Sequence, residues 1–302
     1  MLSLHQILFV PPAVGVAADV IGAFARRDLT VKTTYTGSSI QQRDGLFGQL
    51  YDVAVTPMDN AISWSRDCGT AFRIIAQIER TTRLIVFGHP KFRSLRDLGG
   101  ARLAVDAPDS GLVLVLRAAI EASGVAPGNY SVLACGGVKE RLDAMIADRA
   151  DAGLLGPPID AAADATGLRR LGEIEREVPD YPGLGLIIRL DRLLTLRPAL
   201  LAYVDALAES LEWMHSHPVE LVGALVTRGF AAGSAQEVLA CRPRTLRPDP
   251  QGIRRIIELR KRYDSRMRKE ATPKDLVYGQ LLNEVEVARA QTANAATSPI
   301  GE

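Results

Sequence analysis

The chain of 302 residues carries 36 Lys+Arg against 35 Asp+Glu, with 47% hydrophobic and 24% charged residues. That composition fits a soluble, folded α/β protein and excludes a disordered chain, a coiled coil and a strongly basic nucleic-acid binder. Aromatic residues, at 5%, are too few for a base-stacking surface. Three scattered cysteines, Cys68, Cys135 and Cys241, match neither a disulfide framework nor a metal site, so no metal or cofactor is expected.

The first apolar run, 7–10, suits a buried strand, and 14–24 suits the helix after Pro11-Pro12. No Lys or Arg precedes this run, as it would in a secretory leader. The protein is therefore expected to be cytoplasmic as encoded, or periplasmic if the true start lies upstream. No apolar run reaches the ~18 residues of a membrane span.

Strands are predicted over 6–10, 30–35, 52–56, 72–78 and 83–88, several of them ending in turn or helix-starting residues. A second series comes at 102–106, 131–134, 152–155 and 184–189, with helices over 112–122 and 138–147 between them. Beyond 193 the pattern is helical, over 198–216, 218–228, 234–240 and 251–269, and the small, polar residues 290–302 are expected to fray. Short strands alternating with helices predict mixed sheets flanked by helices. The expected order is a first lobe (1–88 and 187–302), an inserted second lobe (89–186) and a helical C-terminal tail.

Residues 90–185 carry a net charge of −3 and the remainder +4, a mild split that points to no polyanionic partner. The densest basic stretch, 242–269, reads as the solvated face of a helix.

Several segments resemble the solute-binding proteins of sulfonate-, nitrate- and thiamine-precursor-type ABC importers. Asp97-Leu98-Gly99-Gly100-Ala101-Arg102-Leu103-Ala104-Val105-Asp106 is similar to that family's opening of the second lobe. Gly136-Gly137-Val138-Lys139-Glu140-Arg141-Leu142-Asp143-Ala144-Met145-Ile146 resembles its next helix, and 150–158 the strand and prolines after it. In the first lobe, Asp52-Val53-Ala54-Val55-Thr56-Pro57-Met58-Asp59-Asn60 is similar to a strand ending in the same Asp-Asn pair. The resemblance implies a two-lobed, type-two periplasmic-binding-protein-like fold with ligand held in the interlobe cleft.

In open α/β sheets ligands sit beyond the carboxyl ends of strands, where free N–H groups of helix N-termini favour polar and anionic groups. The turns there offer Ala13, Ser38, Ser39, Thr56, Asp59, Asn60, Asp109, Ser110, Gly111, Gly136, Gly137 and Pro157 as ligand-binding candidates. Each has an ordinary structural role available beside it: Ser38, Asp59, Asp109 and Ser110 as helix caps, the glycines as turn formers. The leading expectation is a binding protein that traps a small polar or anionic organic molecule by hinge closure, as the solute-binding component of an ABC-type uptake system or a leaderless relative. An ABC permease is its expected protein partner, and a monomer or dimer its expected state. The alternative is a cytoplasmic lyase-type enzyme, such as a decarboxylase, using Asp59, His89 or Asp109 as acid or base.

Overall fold

The structure is a computed structural model and describes residues 1–267 and 271–297. In chain order its strands are β1 (Leu2–Leu8), β2 (Leu29–Tyr35), β3 (Val53–Pro57), β4 (Phe72–Gln77), β5 (Ile85–Gly88), β6 (Arg102–Val105), β7 (Ser131–Ala134), β8 (Ala152–Leu155), β9 (Arg169–Glu173) and β10 (Leu184–Arg189). They form two five-stranded sheets, ordered β2-β1-β3-β10-β4 and β7-β6-β8-β5-β9. The central strands read as unbroken apolar runs, such as Val53-Ala54-Val55 and Ile85-Val86-Phe87, because helices cover both faces.

Each sheet is parallel apart from one strand next to an edge. β10 runs antiparallel to β3 and β4, and β5 runs antiparallel to β8 and β9. These two strands are where the chain enters a sheet from the other one. It leaves β4 at a carboxyl end, so β5 must start where the neighbouring strands finish. β10 repeats the logic on the return.

This topology moves two expected boundaries. Residues 85–88, read from sequence as the end of the first lobe, pair in the second sheet; residues 184–186, read as the end of the insertion, pair in the first. Both apolar runs read equally well on either side of a crossing, and only their partners distinguish the two. The first strand starts at Leu2 rather than residue 6, and β9 had no apolar signature to reveal it, since its sequence is Arg-Arg-Leu-Gly-Glu.

One core packs the helices Ala13–Val20, Leu193–Ser216 and Pro218–Thr227 against the first sheet, with Val14, Leu200, Leu207 and Leu221 fully enclosed. A second core runs from the first sheet to the second and takes in Ile253, Ile256 and Ile257 of helix Pro250–Tyr263. That helix starts where Asp249 accepts N–H bonds from Gln251 (3.1 Å) and Gly252 (3.3 Å), with Pro250 at its first position. It ends at Tyr263, short of the expected 269; residues 268 and 269 lie outside the described residues. The final helix, Gln280–Thr297, docks Leu281, Leu282 and Val285 into the first core, so 290–297 are helical where fraying was expected; residues 298–302 lie outside the described residues. Among the described residues no helix is long and apolar enough to cross a membrane.

Candidate functional site

A cavity of about 110 Å³ lies between the two sheets. Residues at or just past the ends of the parallel strands bound it: Phe9 and Pro11 after β1, Pro57 at the end of β3, Asp106 after β6, Gly156 and Pro157 after β8. Glu79, Thr82 and Arg83 from the first crossing and Leu184 from the second close its hinge side, and Phe230, after helix Pro218–Thr227, and Val238, in helix Ala232–Ala240, reach in from the C-terminal part of the chain. The walls are mainly apolar, so its few charged groups govern what it accepts.

Arg83 and Arg141 both line this cavity and differ in one respect. Arg83 lies 3.0 Å from Glu173 and 2.9 Å from Glu237, and these carboxylates hold its guanidinium above its usual pKa. Arg141 is only 2% exposed, donates from Nε to the Gly137 carbonyl (3.2 Å), and among the described residues has no carboxylate within 4.0 Å. Burial pulls its guanidinium below the usual value, with the Asp106 charge the largest opposing influence. A buried cation without a counter-ion is costly, and an anion arriving in the cavity would relieve that cost. Glu79 is half-buried at the hinge; its carboxylate accepts from the Leu184 N–H (3.4 Å), and burial raises its pKa to about 7.

Several of the residues singled out from sequence meet each other instead of the cavity. Asn60 donates to the Thr56 hydroxyl (2.8 Å) and accepts from the Gly111 N–H (3.4 Å), joining the first sheet's layer to the second's. Asp59 Oδ2 lies 2.9 Å from Nε and 2.7 Å from Nη2 of Arg260, which is fully buried. Burial raises the Asp59 pKa and Arg260 pulls it back, leaving it above the usual carboxylate value. Arg260 also donates to the Asp109 carbonyl (2.7 Å), and the half-exposed Asp109 carboxylate pairs with Arg266. Ser110 donates to Asp106 (2.5 Å). Gly111 packs so closely that a Cβ there would sit 1.6 Å from Asp59 Oδ1.

Gly137 closes on the other layer in the same way: a Cβ there would lie 3.0 Å from the Gly37 Cα. Gly136 has φ +111, a conformation glycine adopts without strain. Of the proposed ligand residues, Pro157 lines the cavity directly, and Gly137 heads the helix Val138–Ile146 that brings Val138 and Arg141 to it. Ala13 is buried in the first core, Ser38 caps its helix by accepting from the Gln41 N–H (3.3 Å), and Ser39 is buried in that helix's first turn.

His89, an acid–base candidate from the sequence, follows the end of β5, against the Ala150 carbonyl (3.1 Å), at the end of the second sheet away from the cavity. The antiparallel direction of β5 explains this, because its end emerges opposite the parallel strands' ends.

Sequence reasoning missed Arg141 and Arg260. Both carried the same signal, a charged residue in an apolar stripe: Val138-Arg141-Leu142-Met145 and Ile253-Ile256-Ile257-Arg260, each at i, i+3, i+4, i+7. Arg260 was absorbed into the basic stretch 242–269 and read as solvated.

A family profile described as NMT1/THI5 like matches residues 16–221. No curated protein matches the sequence. Among solved structures, the alkanesulfonate-binding protein SsuA from Xanthomonas axonopodis pv. citri, bound to MOPS, is similar with a TM-score of 0.76 at 15% identity, over 92% of this chain and 99% of that one. The periplasmic nitrate-binding protein NrtA from Synechocystis PCC 6803 is similar with a TM-score of 0.77 at 13% identity, over 95% and 88%. The desulfurization enzyme DSZB is similar with a TM-score of 0.68 at 13% identity, over 96% and 100%. These likenesses show the two-sheet, periplasmic-binding-protein-like fold.

Proposed function

The chain belongs to the NMT1/THI5-like family, and from that premise we propose that it binds a small anionic or polar organic molecule in the cavity between its sheets. In this reading it is the solute-binding component of an ABC-type uptake system, or a relative of such components that is not exported, and an ABC permease is the partner its loaded form meets. The observation that carries the reading is Arg141: a buried guanidinium with no carboxylate partner among the described residues, lining a cavity at the carboxyl ends of the parallel strands. The solute-binding neighbours SsuA and NrtA support it through the shared fold.

A lyase-type enzyme on the same fold is the second reading. Glu79 favours it, since a carboxyl with a pKa of about 7 inside a cavity suits general acid–base work. The acids and bases read from sequence do not: Asp59 and Asp109 are engaged by arginines, and His89 faces away.

Titration calorimetry against small carboxylates, sulfonates, nitrate, aminopyrimidines and amines tests the proposal. The expected result is saturable single-site binding of an anion without turnover. Arg141→Gln should weaken that binding roughly 30- to 1,000-fold, the effect of removing a buried charged partner. Binding unaffected by Arg141→Gln would overturn the reading, and continuing heat with product formation would favour the enzyme.

A further inference from the structure

Arg141 is not the cavity's only buried charge without an ion-pair partner. Asp106 also lines it, is 8% exposed, and among the described residues pairs with no Lys, Arg or His within 4.0 Å; its one hydrogen bond from a side chain comes from Ser110. The two opposite charges do not pair with each other either, although each is near enough for Asp106 to be the largest influence holding up the Arg141 pKa. Both project from the second sheet's layer, Asp106 just after β6 and Arg141 in helix Val138–Ile146, while Phe9, Pro57, Leu184 and Phe230 supply apolar walls from the other side.

A fold that wanted only structural neutrality would bring this carboxylate and guanidinium together, as it does for Asp59 and Arg260. Lining one cavity without pairing, they form two binding points of opposite sign. We propose that the cavity's ligand is a small zwitterion, an amino acid-like molecule whose acid group lies on Arg141 and whose ammonium group lies on Asp106. This deepens the preceding reading and rests on it. A plain organic anion would satisfy Arg141 and leave Asp106 facing added negative charge. A plain amine would satisfy Asp106 and leave Arg141 bare. Only a ligand carrying both charges compensates both groups.

The size agrees. A cavity of about 110 Å³ has room for on the order of seven to ten water-sized groups, which suits an amino acid with a short carbon chain. Against the apolar walls, Asp106 and Arg141 are the charged points that the second sheet's layer adds to Arg83 and Glu79 on the hinge side.

The test is calorimetric titration of the intact protein with matched probes: β-alanine, 4-aminobutyrate and 2-aminoethanesulfonate, against propionate, butyrate and ethanesulfonate, and against propylamine and butylamine. At least one aminated acid is expected to bind roughly 10- to 100-fold more tightly than its amine-free counterpart, the worth of one charged hydrogen bond. In Asp106→Asn that ratio should fall below about 3-fold. Acids that bind the wild-type protein with no preference for the aminated forms would overturn the zwitterion assignment while leaving the anion-binding reading intact. A preference that survives in Asp106→Asn would overturn the role of Asp106. Failure of every acid to bind would overturn both. The comparison among ligands on wild-type protein needs no variant to fold.

Discussion

The Asp59 carboxylate and the Arg260 guanidinium, 201 positions apart in the chain, meet with Oδ2 2.9 Å from Nε, and neither side chain reaches solvent. Asp59 belongs to the first sheet's layer. Arg260 lies on a helix whose isoleucines pack with the second sheet's helix Gly111–Ala122, and its Nη1 holds the Asp109 carbonyl that leads into that helix. One guanidinium therefore pins both layers. Arg260→Met should cost about 3–5 kcal/mol in chemical denaturation, because Asp59 is left buried without its ion-pair partner. Replacing the pair together, Asp59→Leu with Arg260→Met, should recover at least half of that loss. A single variant as stable as the parent would show that the pair does not hold the layers.

Gly111→Ala tests the same junction from the side of packing. A Cβ there would fall 1.6 Å from Asp59 Oδ1, so the helix or the carboxylate must move. The expected loss is about 1–3 kcal/mol, that of forcing extra volume into a packed interior. Gly233→Ala, in helix Ala232–Ala240 with open space around it, is the control and should leave the denaturation midpoint unchanged or slightly raised.

Gly137→Val should act on binding more than on folding. Gly137 has φ −68, so the backbone accepts a side chain, but the added atoms press on Gly37 in the other layer. Ligand affinity should fall by about tenfold or more as closure is blocked, with little change in melting temperature. Calorimetry reads the first and scanning fluorimetry the second; unchanged affinity would mean that closure does not depend on this contact.

Glu79 makes stability fall as pH rises. Its folded pKa of about 7 lies above its ordinary value of 4.5, so between those pH values the folded state holds the extra proton. The penalty is absent below pH 4.5, grows through the window and is complete above pH 7. Glu79→Gln should remove it and gain about 1–3 kcal/mol at pH 8 relative to pH 4.5, after discounting for contact with the cleft. Denaturant midpoints of both proteins across that range check it; parallel pH curves would refute it.

Buried Cys241 should resist thiol reagents in the native state, since burial raises its pKa to about 12 and the thiolate is the reactive form. Ellman titration of native protein should leave one thiol unreacted that appears on denaturation.

The periodicity of the chain by itself determined the architecture: two series of apolar strands alternating with helices, then a helical tail. Strand and helix patterns are local, so Val53-Ala54-Val55 and the stripe of helix Pro250–Tyr263 are legible without knowing their neighbours. The turns after the parallel strands were also legible as the place where the two layers face each other. The task of each residue there was not. Asp59, Asn60 and Gly111 look from sequence like ligand contacts, because a cap, a ligand contact and an interlayer contact all draw on the same short polar residues and glycines. Only the tertiary structure sent them to one another and left the cavity to Arg141, Asp106 and Glu79. His89 was misplaced because strand direction depends on pairing with β8, a partner far along the chain that no local pattern encodes. Partnership is a long-range property: whether a buried arginine is neutralised, as Arg260 is, or left open, as Arg141 is, depends on which carboxylate the fold brings beside it.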